Sequence, residues 1–364
     1  MSVKGWCPGA WRPMMSGDGL IVRIRPRLAR LTRDQTLGLC TLSQSHGNGI
    51  IDLTSRANLQ MRGVREDQHE DLLKALYDLN LIDATAEDEA RRNITVTPLW
   101  DQGDFTTRLH AAILQTLPDM PTLPAKMGIA IDTGAGPALS DTSADFRFER
   151  SDTGLILRAD GAAKGKEINE TDAPQALLDF ANWFITTDGA TAGRMAKHLK
   201  TTALPAAWQD TPPAASAARI QPGGNAYGTP FGSIDASALA ALLQDSKATA
   251  LRVTPWRVFL LENAHPCTPH GFITDPADPL LHTHACPGAP ACAAATVDTR
   301  HLARKIAKPG LHISGCSKGC AHPRPAPTTL VGNNGAFDLV ENGHPWDAPR
   351  QRGLTPAQIL TPAS

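Results

Sequence analysis

Four of the seven cysteines in this 364-residue chain fall in two short loops. The first pair, Cys286 and Cys292, has five residues between its members, and the second, Cys316 and Cys320, has three. Two loops that each offer two thiolates can supply the four ligands of a 4Fe-4S cube, provided the backbone wraps closely around it. Gly288, Gly315 and Gly319 suit that wrapping, and they let backbone N–H groups turn toward the sulfurs. Structural zinc usually takes paired ligands with two to four residues between them, so the first gap fits zinc poorly, although His282 and His284 stand beside it. A disulfide framework needs an oxidising compartment, for which nothing in the chain argues. Inert buried thiols would require four cysteines to gather in Gly/Pro loops by chance. The remaining three, Cys7, Cys40 and Cys267, read as buried or indifferent thiols.

The elements that position these loops can be read around them. Residues 293–307 read as a helix stopped by Pro309-Gly310, and Leu311-His-Ile-Ser reads as a strand that delivers the second cysteine pair. A hairpin with an Asn-Gly turn follows, and Thr355-Pro356 caps a last short helix. In the first half, Gly17 to Arg27 alternates as a strand with Ile21, Arg23, Arg25 and Arg27 on one side. Ile51 to Gly63 reads as a second strand whose polar face carries Thr54, Arg56, Asn58, Gln60 and Arg62. A half-solvated strand is the bland reading of that face. Leu53-Thr-Ser-Arg56 finds an echo within Ala250 to Leu261, a stretch that carries Arg252, Thr254 and Arg257, which suggests an internal repeat.

Hydrophobic residues make up 41% and charged residues 20%, the proportions of a globular protein of several modules. With 35 basic against 36 acidic residues, no global field recruits nucleic acid or an anionic membrane, so an anionic ligand must be held by a local patch. The N-terminus lacks an apolar h-region and no run of eighteen apolar residues occurs, so a soluble, cytoplasmic protein is expected. Gly134-Ala-Gly136-Pro lacks the rest of a dinucleotide fingerprint and reads as a loop.

The Cys-x5-Cys and Cys-x3-Cys pairs resemble the cluster signature of the sulfite/nitrite reductase superfamily. Cys7-Pro-Gly, the segment Pro13 to Pro26 and Gly315-Cys-Ser-Lys-Gly-Cys-Ala-His-Pro323 are most similar to its precorrin-3B synthase branch. The resemblance implies an α+β fold, a pseudo-two-fold repeat of ferredoxin-like half-domains with reductase-like iron-sulfur domains. The implied divisions are a first ferredoxin-like half over 1–90, an α+β domain over 91–201, an Ala/Pro/Gly-rich linker over 202–228, a second half over 229–281 and a cluster domain over 282–364. It also implies an oxidoreductase of cobalamin biosynthesis, an oxygen-dependent monooxygenase that hydroxylates precorrin-3A to the precorrin-3B lactone.

Under this resemblance Cys286, Cys292, Cys316 and Cys320 ligate the cluster, and Arg23, Arg25, Arg56, Arg62, Arg92 and Lys126 contact the carboxylates of the macrocycle. The partners expected are precorrin-3A, O2 and a separate electron-donor protein, with neither nucleic acid nor membrane. A mononuclear non-haem iron is a further implied cofactor, for which His282, His284, His312 and His322 are available. One alternative is a sirohaem-dependent sulfite or nitrite reductase. That activity uses two lysines at Leu-Pro-x-Lys-x-Lys, where this chain has Lys126 and then Gly128. The other alternative is a non-catalytic, zinc-stabilised binding module.

Overall fold

In the computed structural model, which describes residues 8–361, the first half opens with β1 (Met14–Ser16) and β2 (Gly19–Ile24), followed by β3 (Arg30–Thr32), α1 (Arg33–His46), β4 (Ile50–Leu53), β5 (Leu59–Val64), α2 (His69–Asp78) and α3 (Ala86–Arg91). Cys7 lies outside the described residues. Helix α1 starts where Thr32 and Gln35 form a reciprocal capping box, each side chain accepting from the other's backbone N–H. Its Cys40 is buried in the core, and that burial pushes the thiol up to about 12, in keeping with an unreactive sulfur.

The single strand expected from Ile51 to Gly63 is instead a hairpin. Thr54 folds the chain back by accepting at Oγ1 from the N–H groups of Arg56 (3.3 Å) and Asn58 (3.1 Å), and Ala57 takes a left-handed φ of 52°. Arg56 therefore projects from a turn, away from the strand face that carries Gln60 and Arg62.

A middle domain follows: β6 (Ile94–Val96), α4 (Phe105–Thr116), β7 (Ile129–Asp132), β8 (Phe146–Arg150), β9 (Leu155–Ala159), β10 (Lys166–Ile168), α5 (Ala173–Thr186) and the short α6 (Gly189–Ala192) and α7 (Met195–His198). Its sheet runs β10-β9-β8-β7-β6, with β6, β7 and β8 parallel, and Phe146, Phe148, Phe180 and Phe184 fill the core beneath it. The stretch read as a linker is strapped to this domain. Thr211 exchanges two backbone hydrogen bonds with Gly165, Ala214 N–H donates to Arg150 (2.8 Å), and Ala217 N–H donates to Pro137 (2.9 Å).

At the end of β7, Asp132 is fully buried; its Oδ2 accepts from Leu139 N–H at 2.6 Å while Oδ1 has no partner. Burial, reinforced by the neighbouring Glu149, raises its pKa from 3.8 to about 7. Between these values the native state holds a proton that the unfolded chain has released, so this group's contribution to stability is full below pH 3.8 and is lost as pH rises through 7. Asp132→Asn, which cannot ionise, is expected to gain on the wild type by on the order of 2 kcal/mol between pH 5 and pH 8. Urea unfolding at both values checks this, and a pH-independent difference would refute it.

The second half contains β11 (Ala226–Gly228), β12 (Ser233–Asp235), α8 (Ala236–Ser246), β13 (Ala250–Val253) and β14 (Val258–Glu262). It repeats the geometry of the first more closely than the sequence suggests. Thr254 takes the part of Thr54, accepting at Oγ1 from Trp256 N–H (3.2 Å), and Arg257 adopts a left-handed φ of 62° where Ala57 has 52°. The halves also exchange edge strands. β12 pairs with β4, setting Ile234 opposite Ile51, and β3 pairs with β13, setting Leu31 opposite Leu251. The resulting sheets run β1-β2-β5-β4-β12 and β11-β14-β13-β3. Leu31, Leu39, Ile51, Ile234, Leu243 and Leu251 belong to one continuous core between them.

The remaining elements are β15 (His284–Ala285), α9 (Thr299–Ile306), β16 (Leu311–Ser314), β17 (Ala326–Asn333), β18 (Ala336–Gly343), β19 (Gln351–Leu354) and α10 (Pro356–Leu360), with the strands in sequential order in one sheet. The hairpin between β17 and β18 turns on Asn334 and Gly335, both at positive φ, as the Asn-Gly signal predicts. Among the described residues no helix is long and apolar enough to cross a membrane.

Candidate metal centre

β15 and β16 are parallel neighbours, with His284 beside His312 and Ala285 beside Ile313, so the chain leaves both strands at the same edge of the sheet. Cys286 follows β15 directly and Cys316 follows β16 after Gly315. Cys286 is buried, Cys292 and Cys316 are half-buried, and Cys320 is exposed at the rim. Gly315 N–H donates to Cys286 Sγ at 3.1 Å, the kind of bond that tunes a metal-bound sulfur. Thr299 Oγ1 donates to the Cys286 carbonyl, and Ser314 Oγ donates to that of Cys316 at 2.7 Å. Gly288 turns with a φ of 71°, and a Cβ there would lie 2.6 Å from Thr299 Oγ1, so the turn has no room for a side chain.

Cys320 has its pKa raised, first by the protein packed around it and then by Cys316, Cys286 and Cys292. Among the described residues, no three His, Cys, Asp or Glu side chains converge closely enough to hold a single metal ion. The four cysteines lie on two loops, the first beginning and the second following just beyond the ends of neighbouring strands, and a cube that gives each thiolate its own iron asks for such paired loops.

Beside the cysteines three imidazoles meet. The rings of His284 and His322 lie 4.0 Å apart, and those of His312 and His322 lie 5.7 Å apart. Arg257, at its left-handed turn, donates to the Thr283 carbonyl (2.8 Å) and to His284 Nδ1 (2.7 Å). Arginine has no acceptor, so His284 Nδ1 must accept and a neutral ring carries its proton on Nε2. Burial first, and then the Arg257 charge, hold the His284 pKa down to about 2. His312 is fully buried with neither ring nitrogen partnered. These rings do not form a ligand set for the mononuclear iron that the resemblance implies.

The six basic residues expected at the substrate divide among several sites. Arg23 donates from Nε and Nη2 to Gln60 Oε1 at 3.1 and 2.6 Å, and buried Arg25 donates to the Glu89 carbonyl. Arg56 reaches the middle domain, donating from Nη2 to the Lys126 carbonyl and to Ser143 Oγ, both at 3.0 Å. The Lys126 side chain is exposed beside it. Arg92 is buried: Nε donates to both Asp83 oxygens at 2.9 Å, and Nη1 donates to the Arg25 carbonyl at 2.8 Å. Arg62 is buried too, paired with Asp18 at 3.0 Å and lying 3.6 Å from Asp52. Thus the structure joins Arg56 to Lys126 and Arg25 to Arg92, while Arg62 and Arg92 are engaged by carboxylates of the protein itself. The sequence reading passed over Arg257, and the echo of Arg56 at that position was its one visible signal.

Comparison with known proteins agrees with this geometry. Residues 12–79 match the nitrite/sulfite reductase ferredoxin-like half domain. The chain is 30% identical to a precorrin-3B synthase of Sinorhizobium sp over 387 residues, covering 93% of this chain and 83% of that protein. Over 158 residues, 39% of this chain and 30% of the relative, it is 29% identical to the ferredoxin–nitrite reductase of Synechococcus elongatus. The NirA protein of Mycobacterium tuberculosis shares the fold, with a TM-score of 0.65 over 94% of this chain and 79% of that one at 17% identity. With near-full-length likeness on one side and the paired half-domains on the other, the chain belongs to the precorrin-3B synthase family within the nitrite and sulfite reductase superfamily.

Proposed function

We propose that the chain is an oxygen-dependent monooxygenase that hydroxylates precorrin-3A to the precorrin-3B lactone in aerobic cobalamin biosynthesis. What supports this reading is a likeness to a precorrin-3B synthase that covers 93% of the chain, together with Cys286 and Cys316 standing just beyond neighbouring parallel strands. The reaction consumes O2, two electrons and two protons; one oxygen atom enters the macrocycle and the other leaves as water. A 4Fe-4S cluster, when bound, supplies one-electron transfer, and a separate donor protein is the source of the electrons. The four cysteines hold the cluster and the Gly315 N–H adjusts the electron density on Cys286. Substrate carboxylates fall to Arg56 and Lys126 at the junction of the first half and the middle domain, with Arg23 on β2 and Arg25 just after it.

The sirohaem-dependent reductase reading has a specific observation against it. Gly128, where the second lysine would stand, is buried, donates to Asp145 Oδ2 at 3.1 Å and has Asn93 Nδ2 only 2.8 Å from where a Cβ would be. A lysine has no room there, and Arg92 is tied to Asp83, so the cations that would stabilise a small oxyanion are not assembled. Anaerobic purification with iron, sulfide and visible-spectrum analysis, followed by assay on precorrin-3A with an electron donor, tests the proposal. Oxygen-dependent product with no turnover of sulfite or nitrite is expected. Tightly bound sirohaem with sulfite turnover would overturn it, and a colourless zinc protein would favour the binding module.

A further inference from the structure

The Ser16-Gly17-Asp18 turn between β1 and β2 takes no part in the proposed reaction, yet Ser16 bonds to a residue 275 positions along the chain. We infer that this turn and Arg62 are positioning residues that clasp the Cys286–Cys292 loop and present Cys292 to the cluster, an inference that rests on reading the four cysteines as cluster ligands.

The loop cannot hold itself by side chains. Between its cysteines it has Pro287, Gly288, Ala289, Pro290 and Ala291, none of which has a polar side chain. Within it, Cys292 N–H donates to the Gly288 carbonyl at 2.8 Å and Ala289 N–H to the Val297 carbonyl at 2.9 Å. The carbonyl of Ala291, the residue before Cys292, is fixed from outside instead. It accepts from Ser16 Oγ at 2.7 Å and from Arg62 Nη2 at 3.1 Å. Gly17 lets the two backbones meet: a Cβ there would lie 2.6 Å from the Pro290 oxygen and 2.8 Å from the Ala293 nitrogen.

Arg62 is itself held in place. Asp18 accepts from its Nε at 3.1 Å and its Nη2 at 3.0 Å, while Asn48 Nδ2 donates to the same carboxylate at 3.0 Å. On its other side lies Asp52, which also accepts from Arg300 Nη2 at 3.2 Å. Arg300 belongs to α9, the helix that follows Cys292, and its Nη1 donates to Ser233 Oγ at 2.9 Å. One pair of adjacent strands, β4 and β5, therefore grips the loop at Ala291 and the helix beyond it. A guanidinium so deeply engaged serves the loop better than a substrate at the surface.

The test uses full-length protein reconstituted anaerobically with iron and sulfide, in wild-type form and as Ser16→Ala, Arg62→Gln and Arg62→Lys. Iron release to a chelator is followed by visible absorption, the reduced state by EPR, and apoprotein stability by urea unfolding. Ser16→Ala and Arg62→Gln should each speed release about ten-fold, as expected for a lost bond to a carbonyl or from a charged group. They should also alter the EPR line shape without lowering the unfolding midpoint of the Ser16→Ala apoprotein. Arg62→Lys, which keeps the cation, should recover part of the loss. Unaltered release in both Ser16→Ala and Arg62→Gln overturns the clasp, and weakened macrocycle affinity in such a loaded Arg62→Gln protein would return Arg62 to the substrate. If Arg62→Gln does not fold, Ser16→Ala decides the matter. Wild-type protein that takes up no cluster overturns the cysteine reading itself, and the clasp with it.

Discussion

Cys316→Ser or Cys320→Ser is expected to leave a protein that folds but loses its visible iron-sulfur absorption, most of its bound iron and its turnover. The expectation follows from the way the site is built. In the proposed site each thiol would meet one iron corner, the two loops leave neighbouring parallel strands, and among the described residues no fifth cysteine stands by: Cys40 is buried in a different core, and Cys267 packs against that same core. A serine hydroxyl at either position is not ionised at neutral pH and is a harder, poorer ligand for iron. Sheet β15 to β19 keeps its own apolar core of Leu311, Ile313, Leu330 and Phe337, so near-native circular dichroism should accompany the bleaching. A full complement of iron and sulfide in either variant would remove that cysteine from the ligand set.

Arg92→Ala should act on stability first. The side chain is buried with Asp83, which is equally buried, and the cation left paired with that carboxylate among the described residues would be Arg27 at 3.3 Å. Breaking a buried pair by deleting one partner costs about 3–5 kcal/mol. Arg27 remains largely exposed, so it offsets little of this, and most of that loss should be seen. Chemical unfolding of the apoprotein reads it directly, and Asp83→Asn in the Arg92→Ala background should recover part. A variant that unfolds like the wild type but binds the macrocycle more weakly would make Arg92 a substrate contact after all.

The distance between these residues and their partners explains what the sequence could and could not tell. The Asn-Gly hairpin was legible because its signal is local, two residues whose backbone preferences make the turn. The turn at Thr54 was not. It contains neither Gly nor Pro, and the left-handed Ala57 at its centre is fixed by hydrogen bonds to Thr54 that only the folded hairpin brings together. Arg62 looked like one more polar residue on an alternating strand, but Asp18 is 44 positions away and Ala291 is 229. The repeat was faint because the two halves share backbone shape and turn chemistry at Thr54 and Thr254 with slight identity elsewhere. Composition alone made a tether of residues 202–228, since Ala, Pro and Gly announce a lack of regular structure and say nothing of backbone bonds to a neighbour.

The exchanged edge strands set a timetable for synthesis. β4 receives its outer neighbour from residues 233–235, whereas its own residues are complete at position 53. At ribosomal rates of roughly 5–20 residues per second, the intervening stretch of about 180 residues takes on the order of 10–40 s. For that interval the nascent first half carries an open row of backbone donors and acceptors, along with the apolar face that α8 will cover. It is a surface that other nascent chains can pair with. The middle domain, complete once Trp208 has joined its core and residues up to 217 have bonded to it, can fold during the wait because its sheet borrows no strand from elsewhere. The last event is then the arrival of the second half, which closes both open edges at once by supplying β12 to β4 and taking β3 for β13. A ribosome paused between the two halves would prolong the exposure, and a truncated message would make it permanent.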